Sequence, residues 1–432
     1  MIAATVRRAV AALAVVASAG GAQRADRAAP QRAPAAPSAL AAAPADTFYI
    51  SVLTMGPGDE IFNRFGHQSV RIRNLRTGLD SAYNWGMFDF DQPHFILNFL
   101  TGDTRYWMQS FPTVPLVSAY RREGRSVWEQ ELDLTPAEKD TLVRYVQWNA
   151  LEANKWYRYD YYRDNCATRV RDLIDRTIGG AFRRETAGKA NGVSFRSETM
   201  RLASTFPVTN VAMDFALGPR ADSTLSAWDE MFVPMRLRDW LRTVKVRRAD
   251  GSERPLVKSE QTLVDDPRYR EIGTAPAYIV PGLVIGALVA LFAVFVGARA
   301  YTVTAARLAL GATGGIFHLA VGICGTFVAI AGPFTKHVYM ANNFSVLLAT
   351  PASLALSLLL PLSLVRGAPR NVVKAARGLA GFAAGAAVVA LLLDFVPGTA
   401  QHNGAVIAIL VPAQLAFAWA TLQATVYPRD AA

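Results

Sequence analysis

The chain has 432 residues, 52% of them apolar, a formal net charge of +11 and 2 cysteines. Two cysteines exclude a disulfide framework. The Lys and Arg residues are scattered and accompany no recognised nucleic-acid motif, so nucleic acid is not an expected partner and an anionic membrane surface is the simpler one.

Residues 1–22 read as a secretory signal: Arg7 and Arg8 form a basic start, Ala9 to Ala17 a short apolar run, and Ala17-Ser18-Ala19 a cleavage site. An uncleaved N-terminal anchor is the alternative. Residues 23–46 are an Ala/Pro-rich linker, with too few large apolar side chains to bury a core. Thr47 to Met55 then reads as a strand, Gly56-Pro57-Gly58-Asp59 as a turn and Glu60 to Phe65 as a short helical piece. Residues 66–73 form a second strand, with Val70 and Ile72 on one face and His67, Ser69 and Arg71 on the other. A histidine in a strand is usually a partly buried residue with a satisfied ring. Paired with a thiol elsewhere in the chain, His67 becomes a candidate base, and His94, in a loop after Pro93, is a second candidate.

Asn74 to Gly78 looks like a hairpin connection, Leu79 to Trp85 the returning strand, and Arg125 to Leu134 a further strand. Thr135-Pro136-Ala137-Glu138 is a capping box with proline in the first turn, opening a helix with Leu142, Val143 and Val146 on its apolar face. The aromatic and charged run 156–165 leads into Cys166. From there Val170, Leu173 and Ile174 mark one helical face, and Gly179-Gly180 is a stop signal. Asp164 or Asn165 can cap this helix, leaving the sulfur in the first turn, where the helix dipole favours thiolate over thiol. A small buried core residue is the competing reading of Cys166. Exported domains usually pair their thiols, so a lone exported thiol argues for a nucleophile; Cys324 reads as packing. Strands around a hairpin followed by helices give an α+β domain over residues 47–240, in which 181–240 serve as a cover. Residues 241–276 read as a basic juxtamembrane linker.

From Ala277 onward five apolar stretches follow, at residues 277–298, 308–331, 344–365, 378–396 and 404–426. Each is long enough, at about 1.5 Å per residue, to cross a hydrocarbon layer of about 30 Å. Arg299 and Arg307 lie between the first and second, and Arg366, Arg370, Lys374 and Arg377 between the third and fourth. The other two connections hold only Lys336. The positive-inside rule then places the Arg-rich loops in the cytoplasm and the preceding domain outside. His337, Asn342 and Asn343 fall in one outer loop, Gln401, His402 and Asn403 in the other, and Asp394 near the outer end of the fourth span. Such polar groups either meet substrate or are ordinary interfacial polarity.

Four stretches carry a family resemblance: residues 53–60, Phe65-Gly-His-Gln-Ser-Val-Arg71, Tyr83-Asn-Trp-Gly86 and Tyr159-Asp-Tyr-Tyr-Arg-Asp-Asn-Cys-Ala-Thr-Arg169. Together they resemble the N-terminal periplasmic domain of the Lnb family, and the five spans are similar to the membrane region of the same proteins. The resemblance implies a circularly permuted papain-like thiol domain, its histidine strand preceding its cysteine helix, followed by an all-α five-helix transmembrane bundle. It also implies lipoprotein intramolecular transacylation at the bacterial inner (cytoplasmic) membrane, with the catalytic domain facing the periplasm. In that reaction an acyl chain passes from the glyceryl-modified N-terminal cysteine of a lipoprotein onto its own α-amino group, leaving a lyso form, so that diacylated lipoproteins or membrane lipid are the implied partners. Carried over residue by residue, Cys166 matches the nucleophile and His67 the base. Asn84 and Tyr83 are third-member candidates because they lie on the strand expected to pair with the His67 strand.

An ester-to-amide acyl transfer needs a nucleophile, a base and donors for the oxyanion, and it calls for neither metal nor cofactor. The Cys166 N–H and Asn165 are the expected oxyanion donors. His337, Asn342 and Asn343 are the expected substrate contacts. Two other functions compete: an exported papain-like hydrolase of peptidoglycan peptides, which needs no spans, and a non-catalytic sensor or interaction protein in which Cys166 is structural.

Overall fold

The computed structural model describes residues 47–247, 251–396 and 398–425. The expected signal and linker lie outside the described residues. Two compact units emerge. Among the described residues, the first comprises those of 47–210 and 223–275, and the second those of 211–222 and 276–425.

The first unit is a mixed α/β domain built on a seven-stranded sheet. Its strands are β1 (Phe48–Met55), β2 (His67–Asn74), β3 (Asp80–Met87), β4 (Arg105–Pro112), β5 (Val127–Leu132), β6 (Trp156–Arg158) and β7 (Val257–Val264), in the order β7-β5-β1-β2-β3-β4-β6. Every neighbouring pair is antiparallel. Alternation along the strands sorts side chains onto two faces. Val52, Val70, Ile72, Tyr83, Trp85 and Met108 form one core with Leu142 and Val146 of α2 (Pro136–Ala150) and with Val170 and Ile174 of α3 (Cys166–Thr177). Leu53, Met55, Ala82 and Val127 form the opposite core with Tyr120 of α1 (Thr113–Arg122). The Val70/Ile72 face expected of the second strand is therefore the face that meets the cysteine helix.

The Thr135–Glu138 capping box forms as expected, with both reciprocal bonds in place. Three features differ from expectation. Residues 241–276 are not a plain linker: β7 joins the sheet edge against β5, with Glu260 opposite Gln130, and Lys245–Arg247 pairs with Glu253–Pro255. An edge strand whose residues are largely polar reads as linker, because only neighbouring strands reveal its pairing. Residues 211–222, expected as part of a cover on the first domain, cluster with the second unit instead. Finally, α1 and β4 stand where the sequence reading had no elements.

The second unit contains five helices long and apolar enough to cross a membrane: α4 (Ile279–Ala300), α5 (Thr304–Phe334), a third span in two pieces over Ser345–Ser363, α8 (Arg370–Leu393) and α9 (Gly404–Ala424). The third is divided into α6 (Ser345–Leu348) and α7 (Ala352–Ser363), interrupted by Ala349-Thr350-Pro351. Gly325 of α5 passes so close to this break that a Cβ there would lie 1.4 Å from the Ala349 carbonyl oxygen. Only glycine permits that approach, the small-residue packing expected between apolar helices.

Candidate functional site

The cysteine helix is held by a capping box of its own. Asn165 Oδ1 accepts from the Thr168 N–H at 2.9 Å, and Thr168 Oγ1 accepts from the Asn165 N–H at 2.8 Å. Cys166 follows as the first helical residue and is 1% exposed. Its sulfur accepts from the backbone N–H groups of Gln68, Ala167 and Cys166 itself. Gln68 directly follows His67, so the start of β2 and the start of α3 meet at the thiol.

His67 opens β2 after Gly66, whose φ of 79° and ψ of −168° lie in a region reserved for glycine. His67 is fully buried, and its Nε2 lies 3.1 Å from Asn84 Oδ1. Asn84 Nδ2 donates to the Ala82 carbonyl at 3.0 Å, which fixes the orientation of the amide. Facing an acceptor oxygen, Nε2 is the ring nitrogen placed to donate to Asn84. The two candidates for a third member thus separate. Asn84, paired in register with Ser69, bonds the imidazole. Tyr83, one residue earlier, packs among the core residues of the face beneath α2 and α3. Burial pushes its phenol up to about 12.

The thiol itself departs from expectation. Burial pushes Cys166 up to about 11 despite the lowering effect of the three N–H groups. The dipole argument was sound in sign, but desolvation of a fully enclosed sulfur outweighs it. Asn165 is also committed elsewhere: its Nδ2 donates to the carbonyls of Tyr161 at 3.0 Å and Phe232 at 2.9 Å. Backbone N–H groups, rather than that amide, are the donors at the sulfur.

Two neighbours escaped sequence reading. The charge of Arg125, itself 1% exposed, acts on the thiol in the lowering direction. Its guanidinium donates to the Gly56 carbonyl at 3.0 Å and to Asn63 Oδ1 at 3.1 Å, and lies 4.6 Å from the Tyr120 ring centroid. Tyr159 is the second, with a phenol raised by burial first and by Cys166 next, and with its ring stacked on Tyr106 at 4.2 Å. The aromatic run 156–165 is visible in the sequence without its packing, and nothing local marks Arg125 as buried.

His94 adopts a left-handed conformation at φ 58° and stands before the short helix Phe95–Thr101. Within the second unit, His337 is buried and Asn342 takes a φ of 56°. Asn343 is fully engaged: Nδ2 donates to the Phe215 and Ala216 carbonyls at 3.0 and 2.8 Å. Its Oδ1 accepts from the Ser345 N–H at 2.8 Å and from Gln401 Nε2 at 2.7 Å. Gln401 and Asn403 both donate to Ser345 Oγ, so the two outer loops of the sequence reading form one polar network. Contact between Asn343 and a substrate would require this network to open.

A domain with a capped thiol beside a histidine strand, joined to five helices that can span a membrane, defines a multi-pass membrane protein with a separate thiol-bearing domain. Residues 35–202 match the family model described as the Lnb N-terminal periplasmic domain, and the five apolar helices follow that match. Over those residues the chain is similar to the Lnb N-terminal periplasmic domain. No curated protein and no solved structure matches the chain.

Proposed function

We propose that the protein is a membrane-bound thiol acyltransferase. It moves an acyl chain within bacterial lipoproteins, from the glyceryl-modified N-terminal cysteine to that residue's α-amine, leaving a lyso form. The supporting observation is the meeting of the Cys166 sulfur with the chain beside His67, whose Nε2 faces Asn84. The order of histidine strand and then cysteine helix is that of a permuted papain-like domain.

The steps follow from the residues. The Cys166 thiol passes its proton to His67 Nδ1 while sulfur attacks the ester carbonyl. The oxyanion that forms is held by the backbone N–H groups of Gln68, Cys166 and Ala167. When the tetrahedral adduct collapses, the glyceryl oxygen leaves with the proton from His67, and a thioester remains. The lipoprotein's α-amine then attacks the thioester, His67 takes its proton, and sulfur departs as the thiol with the amide formed. Water arriving at the thioester would release free fatty acid instead, so the burial of the thiol serves the transfer. A thiol raised by burial stays protonated in the resting chain until ester is in place. His337 and Asn342 are the proposed substrate contacts in the second unit, with Asn343 joining them once its network opens. The Arg-rich loops face the cytoplasm and the domain faces the periplasm in this reading.

The test is mass spectrometry of lipoprotein N-termini in a bacterial host lacking its own N-acylating enzyme, expressing the full chain or Cys166→Ala. N-acylated lyso-lipoprotein with the intact chain alone supports the proposal. Free, diacylated N-termini with both chains well expressed overturn it.

A further inference from the structure

At one end of the five-helix unit, α5 and α7 flank an open cavity of about 540 Å³. Its floor is apolar, formed by Leu308, Gly311, Pro361 and Val365, and two cations, Arg307 and Arg366, line it as well. The shape follows from the sequence. Gly311 lacks a side chain, and a Cβ there would meet Pro361 at 3.5 Å, so the helices touch at that level. One turn earlier on α5, and past the end of α7 at Ser363, the space between them is left open.

Arg307 is pinned, with Nε donating to the Ala300 carbonyl at 3.0 Å and Nη2 to the Tyr301 carbonyl at 2.8 Å. Its Nη1 has no protein acceptor among the described residues. Arg366 is exposed and makes no ion pair among the described residues. No Asp or Glu lines the cavity. Residues 299–307 and 366–377, which border it, contain Arg299, Arg307, Arg366, Arg370, Lys374 and Arg377 and no acid. A hollow that is apolar inside, cationic at two points and lined by no acid among the described residues is built for an amphiphile with an anionic head.

We propose that this cavity is a binding site for one anionic glycerophospholipid, its phosphate held between Arg307 and Arg366 and the first part of its acyl chains on the Leu308–Val365 floor. Basic pockets between membrane helices recognise anionic head groups in this way, and the volume lies in the range of ligand sites. A zwitterionic lipid brings an ammonium group towards the same two arginines and is disfavoured. A free phosphate ion shares the head-group chemistry but leaves the apolar floor empty.

Native mass spectrometry of the full chain, purified in detergent and supplied with equal dioleoylphosphatidylglycerol and dioleoylphosphatidylcholine, tests this. The intact chain is expected to retain one phosphatidylglycerol with about tenfold preference, undiminished by excess inorganic phosphate. The Arg307→Gln/Arg366→Gln chain should lose the preference, and Arg307→Lys/Arg366→Lys should keep most of it, separating charge from misfolding. Arg370→Gln/Lys374→Gln removes the same charge outside the cavity and should leave the preference intact. Equal retention of both lipids by the intact chain overturns the proposal. So does displacement of the lipid by inorganic phosphate, or an equal loss in the Arg370/Lys374 variant, which would make the effect one of surface charge alone.

Discussion

His67 and Asn84 are joined across adjacent antiparallel strands, with Nε2 and Oδ1 3.1 Å apart, although the in-register partner of Asn84 is Ser69. The contact is thus a diagonal one, which long side chains on one sheet face can reach. Because Ala82 O holds the other end of the amide, the carboxamide has one orientation, its oxygen towards the imidazole. Asn84 is accordingly a positioning residue. Asn84→Ala should lower the acyl-transfer rate by roughly 10- to 100-fold, with a loss of thermal stability of about 1 kcal/mol for the broken buried bond. Asn84→Asp should retain the geometry and shift the acidic limb of the pH–rate profile upward, because a carboxylate stabilises the imidazolium and the free base is then lost at higher pH. A merely structural role would leave the profile unmoved in both variants.

The thiol supplies a second expectation. With Cys166 pushed up to about 11 and 1% exposed, iodoacetamide should label the resting chain slowly at neutral pH, and the rate should keep rising towards pH 11 without a plateau near neutrality. Slow labelling is therefore expected of a catalyst and of a structural cysteine alike. The reading that separates them is function: Cys166→Ala should abolish acyl transfer while leaving the folded yield unchanged, and retained transfer in that variant would remove the sulfur from the mechanism.

Much of this site was legible because its signals are local. Strand alternation separated His67 from Val70, and the Asn165–Thr168 box forms within one turn. The Asn-Cys step placed the sulfur at the helix start, and the spans followed from length and composition. What escaped was tertiary. Arg125 looks like any charged residue at a strand edge until Gly56, Asn63 and Tyr120 close around it. The thiol's raised protonation range depends on enclosure, which no helix-end rule contains. The polar strand β7 declares itself only through its pairing with β5, and residues 211–222 join the second unit only through packing.

Gly66 is the hinge between the Ile61–Phe65 turn and His67, and a Cβ there would lie 2.8 Å from the Met55 carbonyl oxygen. Gly66→Ala combines a forbidden backbone region with that clash, and should cost about 2–3 kcal/mol in urea unfolding of the full chain. The proposed acyl transfer should fall as well, since the displaced residue is the one before His67, the proposed base. A stability change below about 0.5 kcal/mol would mean that β2 begins differently.

Glu260 ties β7 to the Pro234–Thr243 helix. It accepts from Arg238 Nε at 3.0 Å, from Arg242 Nε at 2.6 Å and from Gln130 Nε2 at 3.0 Å. Burial alone would raise its carboxyl, but the hydrogen bonds from Arg242 and Arg238 outweigh burial and hold it down to about 2. A carboxylate lowered on folding stabilises the folded state fully above its unfolded value, and that contribution is lost as pH falls towards the folded one. Acid should therefore weaken the β7 edge between about pH 4.5 and pH 2. Amide exchange along Val257–Val264 should report it. Glu260→Gln should show faster exchange at neutral pH and little further change across that window.

Arg125 is the last test, because it does two jobs with one group. Its fork holds the Gly56–Asn63 loop that leads to the histidine strand, and its charge acts on the Cys166 sulfur in favour of thiolate. Its Nη2 is buried with no hydrogen-bond partner among the described residues. Arg125→Met should remove both effects, destabilising the domain by about 3 kcal/mol, since the Gly56 carbonyl and the Asn63 amide lose their partner in a buried setting. Arg125→Lys keeps the charge but cannot reproduce the planar fork. If the charge matters at the sulfur, the thiol labelling profile should move to higher pH in Arg125→Met and stay near that of the unaltered chain in Arg125→Lys, at pH values where both remain folded. Identical profiles in all three chains would reduce Arg125 to a loop anchor.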